Sequence, residues 1–125
     1  MHASKQALPI EKLGPNYEAR LAEWGEYTAY FERAAAGTDF SAFYDTCACP
    51  HLGYVLSGKI KFVYRDGREE VMSAGEMYYV PPDHTFHVLE DAETVEFSPT
   101  APYKRHMEMV AANMARADSV DISRI

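Results

Sequence analysis

The segment His51-Leu52-Gly53-Tyr54-Val55-Leu56-Ser57-Gly58-Lys59-Ile60-Lys61-Phe62-Val63-Tyr64-Arg65-Asp66-Gly67 decides the fold class. It holds two short runs rich in aromatic and branched residues, each closed by turn residues. His51 to Ser57 reads as one strand, ended by Ser57-Gly58. Lys59 to Tyr64 reads as the next, with Ile60, Phe62 and Tyr64 inward and Lys59, Lys61 and Arg65 outward. Asp66-Gly67 is a strong hairpin signal, because a tight two-residue turn needs positive φ.

The same rhythm continues on both sides. Downstream, Glu69 to Met72 is followed by the turn Ser73-Ala74-Gly75-Glu76. Met77 to Val80 is then stopped by Pro81-Pro82, and Thr85 to Leu89 and Thr94 to Phe97 complete the set. Upstream, Glu26 to Arg33 alternates, with Tyr27, Ala29 and Phe31 on one face and Thr28, Tyr30 and Glu32 on the other. Tyr17 to Gly25 fits either a strand or a short helix. Short strands at steady spacing predict an antiparallel sandwich or barrel. The period changes after Pro99. Tyr103, Met107, Val110, Ala111 and Met114 form one apolar stripe at helical spacing. A helix from about Ala101 to Ala117 is expected to pack on the barrel, with Thr100 as its cap. The organisation read from this is an N-terminal arm (1–15), loosely ordered, a barrel (16–100), and a C-terminal helix and tail (101–125), frayed beyond 117.

Composition bounds the function. A chain of 125 residues, 47% hydrophobic and 25% charged, has the makeup of one globular domain. A formal net charge of −7 disfavours nucleic acid and anionic membranes as partners. No apolar run approaches the roughly 20 residues that span a bilayer. Lys5, Glu11 and Lys12 break up the N-terminal stretch, which does not read as a signal peptide. Cys47 and Cys49 are two residues apart, a poor geometry for a disulfide along one strand. The reading is a cytoplasmic protein with reduced thiols, buried or metal-bound.

The chemistry concentrates in Cys47-Ala48-Cys49-Pro50-His51. In an extended chain, residues two apart share a face, so Cys47, Cys49 and His51 converge. Thiolate and imidazole together make a zinc-type ligand set. One strand cannot complete such a site, and His84 and His87 are the candidates from elsewhere. Buried cysteines also serve as small apolar core residues, which is the plain alternative.

Two spacings frame these residues: Cys47-x3-His51-x6-Gly58, and Gly75-x5-Pro81 followed by Pro82-Asp83-His84. They resemble the two sequence motifs of a small, single-domain cupin. The resemblance places His51 at the family's glutamate ligand and Cys47 at the second histidine of its His-x-His, with Asp45 at the first. In the second motif, Asp83 stands at a glycine, Phe86 at the histidine ligand and Glu90 at the asparagine. His84 lies two residues before Phe86, on the same face of a regular strand, and is preferred to His87. The Cys-rich first motif and the run Glu96-Phe97-Ser98-Pro99 before a final helix resemble one subgroup of the family.

The resemblance implies an all-β, cupin-like antiparallel barrel (jelly roll) with a C-terminal α-helix. It implies a metal held by Cys47, His51 and His84 with Cys49 beside them, zinc first and iron as the alternative. Tyr54, Phe62, Tyr79 and Phe86 are expected to line a substrate pocket for a small molecule. The resemblance supplies no reaction; the first function reading is a small metal-dependent enzyme acting on a small organic molecule. A closed structural zinc site and an iron-dependent dioxygenase are the alternatives. Glu90 or a tyrosine hydroxyl would accept protons, and His106 would lie on the surface. A homodimer is expected, pairing through the edge near Tyr17 to Leu21.

Overall fold

The computed structural model describes residues 1–123, with side chains through residue 117. In chain order its elements are a 3-10 turn (Lys5–Ala7), β1 (Ile10–Lys12), β2 (Tyr17–Trp24), β3 (Tyr27–Ala34), β4 (His51–Tyr64), β5 (Glu69–Ser73), β6 (Met77–Val80), β7 (His84–Pro99) and α1 (Thr100–Ser123). The strands form one antiparallel sheet in the order β1-β2-β3-β7-β4-β5, with β6 paired to β4 beside β5. The all-β class and the C-terminal helix are as the sequence predicts.

Strands β4 and β7, 14 and 16 residues long, carry the architecture. They pair along most of their length, and the register shifts between Val55 and Ile60. Ser57-Gly58 and the Glu90–Thr94 stretch therefore do not end strands; they bulge and bend two continuous ones. Gly58 has φ 81°, and a Cβ there would lie 2.1 Å from the Asp91 carbonyl oxygen. Only glycine fits this corner.

The bulge also changes which residues face inward. Val55 is buried on one side of it, and Ile60, Phe62 and Tyr64 on the other. Tyr54 keeps the outward parity and is 40% exposed, so it does not line the cavity. Tyr79 is likewise corrected: in β6 it is Tyr78 and Val80 that turn inward, and Tyr79 is 57% exposed. Phe62 and Phe86 do line the cavity.

The N-terminal arm is more ordered than expected. Strand β1 pairs with Glu18–Arg20 of β2, and Leu13 is buried. The segment Tyr17–Trp24 resolves to a strand, and the edge expected to pair with a second copy is covered there by β1. Helix α1 runs further than expected, through Ser123; the end of the tail, 124–125, lies outside the described residues. Tyr103, Met107 and Val110 are buried as the stripe predicts, whereas Ala111 is exposed. Thr100 is the first helical residue, and its hydroxyl meets that of Thr28 at 2.9 Å. The helix thereby starts over β3 and β7 and lays its first turns across the cavity that the bent sheet encloses.

Candidate metal centre

Cys47 precedes β4 and is held to the start of β7 by backbone hydrogen bonds. Its N–H donates to the His84 carbonyl at 2.8 Å, and the Cys47 carbonyl accepts from the Asp83 N–H at 2.7 Å. Asp83 has φ 71°, a conformation glycine takes most readily and aspartate tolerates. It stands where the second motif has glycine, so the backbone requirement survives the change of residue. This clasp brings Cys47 beside His84, and His51 enters from the first residue of β4.

The ligand-type atoms of Cys47, His51 and His84 lie within 4.8 Å of one another. The rings of His51 and His84 meet edge to face at 4.9 Å. Each ring is oriented through Nδ1. That of His84 lies 2.8 Å from the Pro81 carbonyl oxygen, and that of His51 lies 2.7 Å from Ser98 Oγ. Nε2 of His51 is left 4.0 Å from Cys47 Sγ. Anchoring one ring nitrogen to present the other is how proteins orient imidazole ligands. Burial lowers the pKa of both histidines to about 4, with His51 adding to the effect at His84. Both are thus neutral, the form that binds metal. Burial pushes the Cys47 thiol up to about 12, so a cation must displace its proton. Two anchored neutral imidazoles and one thiol fit a borderline divalent ion such as zinc.

Cys49 is buried, but its sulfur lies 3.5 Å from the Pro50 carbonyl and is not part of the cluster. His87 turns away and meets Asp39 at 2.9 Å. Glu90 is on the surface, 3.2 Å from Lys59, away from the cavity. Asp45 is exposed.

The cluster opens into a narrow cavity beneath α1. Several of its polar groups went unread in the sequence. Glu96 is 3% exposed and accepts hydrogen bonds from Tyr30, at 2.5 Å, and from Tyr78. Tyr78 reaches it by lying over Gly53, which pairs with both; a Cβ on Gly53 would sit 2.4 Å from the Tyr78 ring. Tyr30 also meets Ser98 at 2.9 Å, so Glu96, Tyr30, Ser98 and His51 form one continuous network. Glu32 accepts from Tyr17, and from Thr94 at 3.3 Å. Burial and then the Glu96 charge push its pKa up to about 8; burial raises Glu96 too. His106 is the other correction. It projects from α1 into the cavity, against Tyr44 at 4.6 Å between ring centroids, and burial lowers its pKa to about 4.

A bent antiparallel sheet around a histidine-containing cluster is matched at the level of sequence as well. The family model described as the cupin domain matches residues 31–98, more than half of the chain. The chain belongs to the cupin family. Among curated proteins, no sequence matches this cupin. Solved cupin-like structures do. An RmlC-like cupin from Shewanella frigidimarina is 20% identical with a TM-score of 0.63, over 79% of this chain and 90% of that one. Ectoine synthase from P. lautus is 12% identical with a TM-score of 0.66, over 86% and 85%. Fe(II) HppE is 15% identical with a TM-score of 0.61, over 78% of this chain and 59% of that one. Identities this low establish a shared fold. No helix among the described residues is long and apolar enough to cross a membrane.

Proposed function

We propose that this cupin is a metal-dependent enzyme acting on a small organic molecule, with zinc held by Cys47, His51 and His84. The observation that carries the reading is a three-residue ligand cluster facing a cavity that also holds a buried hydrogen-bonded carboxylate, Glu96. Three protein ligands leave a tetrahedral ion one exchangeable position, the arrangement of catalytic and not structural zinc sites. A metal bound there would polarise a substrate oxygen or lower the pKa of a bound water. The chain's own residues do the rest. Ser98 and the Pro81 carbonyl fix the imidazoles. Glu96 and Tyr30 hold a proton next to His51. Tyr103, Met107 and Val110 of α1 cover the cavity and limit water.

Cysteine favours zinc over iron as a matter of ligand softness. Iron is the second metal this set admits, and HppE, similar in fold, was solved with Fe(II). Ectoine synthase, also similar in fold, is an enzyme by name.

Metal analysis of purified protein and its single variants tests the reading. One equivalent of zinc is expected in the wild type and in Cys49→Ala, with loss in Cys47→Ala, His51→Ala and His84→Ala. Loss in Cys49→Ala equal to that in Cys47→Ala would favour a closed structural site. Metal retained in His51→Ala and His84→Ala would overturn the assignment and return both histidines to the core.

A further inference from the structure

Two tyrosines that line the cavity carry buried hydroxyls with no hydrogen-bond partner among the described residues: Tyr44 Oη and Tyr103 Oη. Their residues are 7% and 5% exposed. Native proteins pair the great majority of their buried polar groups, and leaving one unpaired is costly. The two arrive from different elements. Tyr44 comes from the connection between β3 and β4, three residues before the Cys47 ligand. Tyr103 comes from the first turn of α1 and packs against Tyr30 at 4.7 Å between ring centroids. Both line the cavity that the metal cluster opens into.

We propose that Tyr44 and Tyr103 are ligand-binding residues, whose hydroxyls donate to oxygen atoms of a small carbonyl or carboxylate compound bound beside the metal cluster. This rests on the metal reading above and names the substrate class of the same site. The chemistry of the walls narrows that class. Burial raises the pKa of both phenols, so each keeps its proton and offers it to an acceptor. No lysine or arginine among the described residues lines the cavity, which disfavours a phosphate dianion. Aromatic and aliphatic side chains, among them Phe40, Phe62 and Phe86, supply the rest of the wall and fit a compact apolar body. A short 2-oxo acid meets these demands, with its oxygens shared between the metal position and the two phenols.

The test uses zinc-loaded protein, with pyruvate as the probe and propylamine and inorganic phosphate as controls. Saturable binding of pyruvate in preference to both controls is expected by calorimetry. Tyr44→Phe and Tyr103→Phe should each weaken it about fivefold or more. Because the hydroxyls lack partners in the free protein, neither variant should lower the melting temperature without ligand. Equal affinity in the variants, preference for a control, absence of pyruvate binding or a lower melting temperature in the ligand-free variants would each overturn the assignment. Metal content of the same samples keeps the two readings apart. Full zinc with any of these outcomes sinks the tyrosine assignment alone, whereas a wild type that takes up no zinc sinks the metal reading and this one with it.

Discussion

His51 Nδ1 lies 2.7 Å from the hydroxyl of Ser98, and this contact determines which nitrogen the ring presents to the cavity. Ser98 sits in the last turnless stretch of β7, fully buried, and is itself held by the Tyr30 hydroxyl at 2.9 Å. Strand pairing thus sets the aim of a ligand that enters from a different strand.

Ser98→Ala should therefore weaken metal binding without dismantling the fold. Removing the outer partner of a ligating histidine typically costs 10- to 100-fold in affinity, and about tenfold is expected here because Tyr30 remains 3.4 Å from the same nitrogen. Chelator competition measures it. An affinity equal to wild type would show that packing alone orients His51.

Metal should stabilise the protein without being required for folding. An ion that binds only the native state contributes about 3 kcal/mol at a hundredfold excess over its Kd. For a domain of this size that is a shift in Tm of roughly 10 °C. The core supports the rest: Val55, Ile60, Val80, Val88 and Val110 are buried independently of the cluster. Stripping with chelator should lower Tm by about that amount and leave a cooperative transition, readable by calorimetry. Complete unfolding on chelation would mean the cluster holds the sheet together.

Gly58→Ala tests the corner of β4. The new Cβ would meet the Asp91 carbonyl at 2.1 Å in a backbone of φ 81°, and neither the contact nor the dihedral can relax alone. A loss of at least about 3 kcal/mol is expected by denaturant titration. Gly67→Ala provides the contrast. It also has positive φ, at 89°, but nothing lies within 4 Å of its Cβ position, so only the smaller conformational cost applies.

That corner also explains how far the sequence could be read. Strand existence, the Asp66-Gly67 hairpin and the convergence of Cys47 with His51 follow from local rules. Gly58 looks like a strand end by the same rules, because a bulge and a turn use the same residue. Only the partner strand distinguishes them, and it lies more than 30 residues away in the chain. Tyr54, expected inward with the other aromatics, lies on the face opposite His51. Glu32 and Glu96 were legible in principle. Thr28, Tyr30 and Glu32 alternate along β3, and Thr94, Glu96 and Ser98 alternate along β7, two polar faces that pair with each other and from which Tyr30, Glu32 and Glu96 line the cavity. Read singly, each resembles the solvated face of an amphipathic strand. His106 sits at the margin of the helical stripe, where spacing alone cannot separate a cavity wall from a surface.

The pair Glu32 and Glu96 gives the last prediction. They are diagonal neighbours on β3 and β7, since Glu32 pairs with Thr94 and Tyr30 with Glu96. Glu32 faces Tyr17 from β2 and Thr94 and Glu96 from β7, and makes no ion pair with a lysine or arginine among the described residues. Burial, with the Glu96 charge second, raises its pKa from 4.5 to about 8. A carboxyl whose folded-state pKa is raised keeps its proton when the unfolded chain has already lost it. Its contribution to stability is intact below pH 4.5 and is lost as pH rises toward 8. Glu32→Gln keeps an acceptor for Tyr17 and removes the titration. The variant should match wild type near the lower limit and melt several degrees higher near the upper one, with the gap widening steadily between them. Thermal melts across that range check it. A gap that is constant with pH, or that widens toward acid, would mean that Glu32 is ionised in the folded protein and that its proton is not retained by burial.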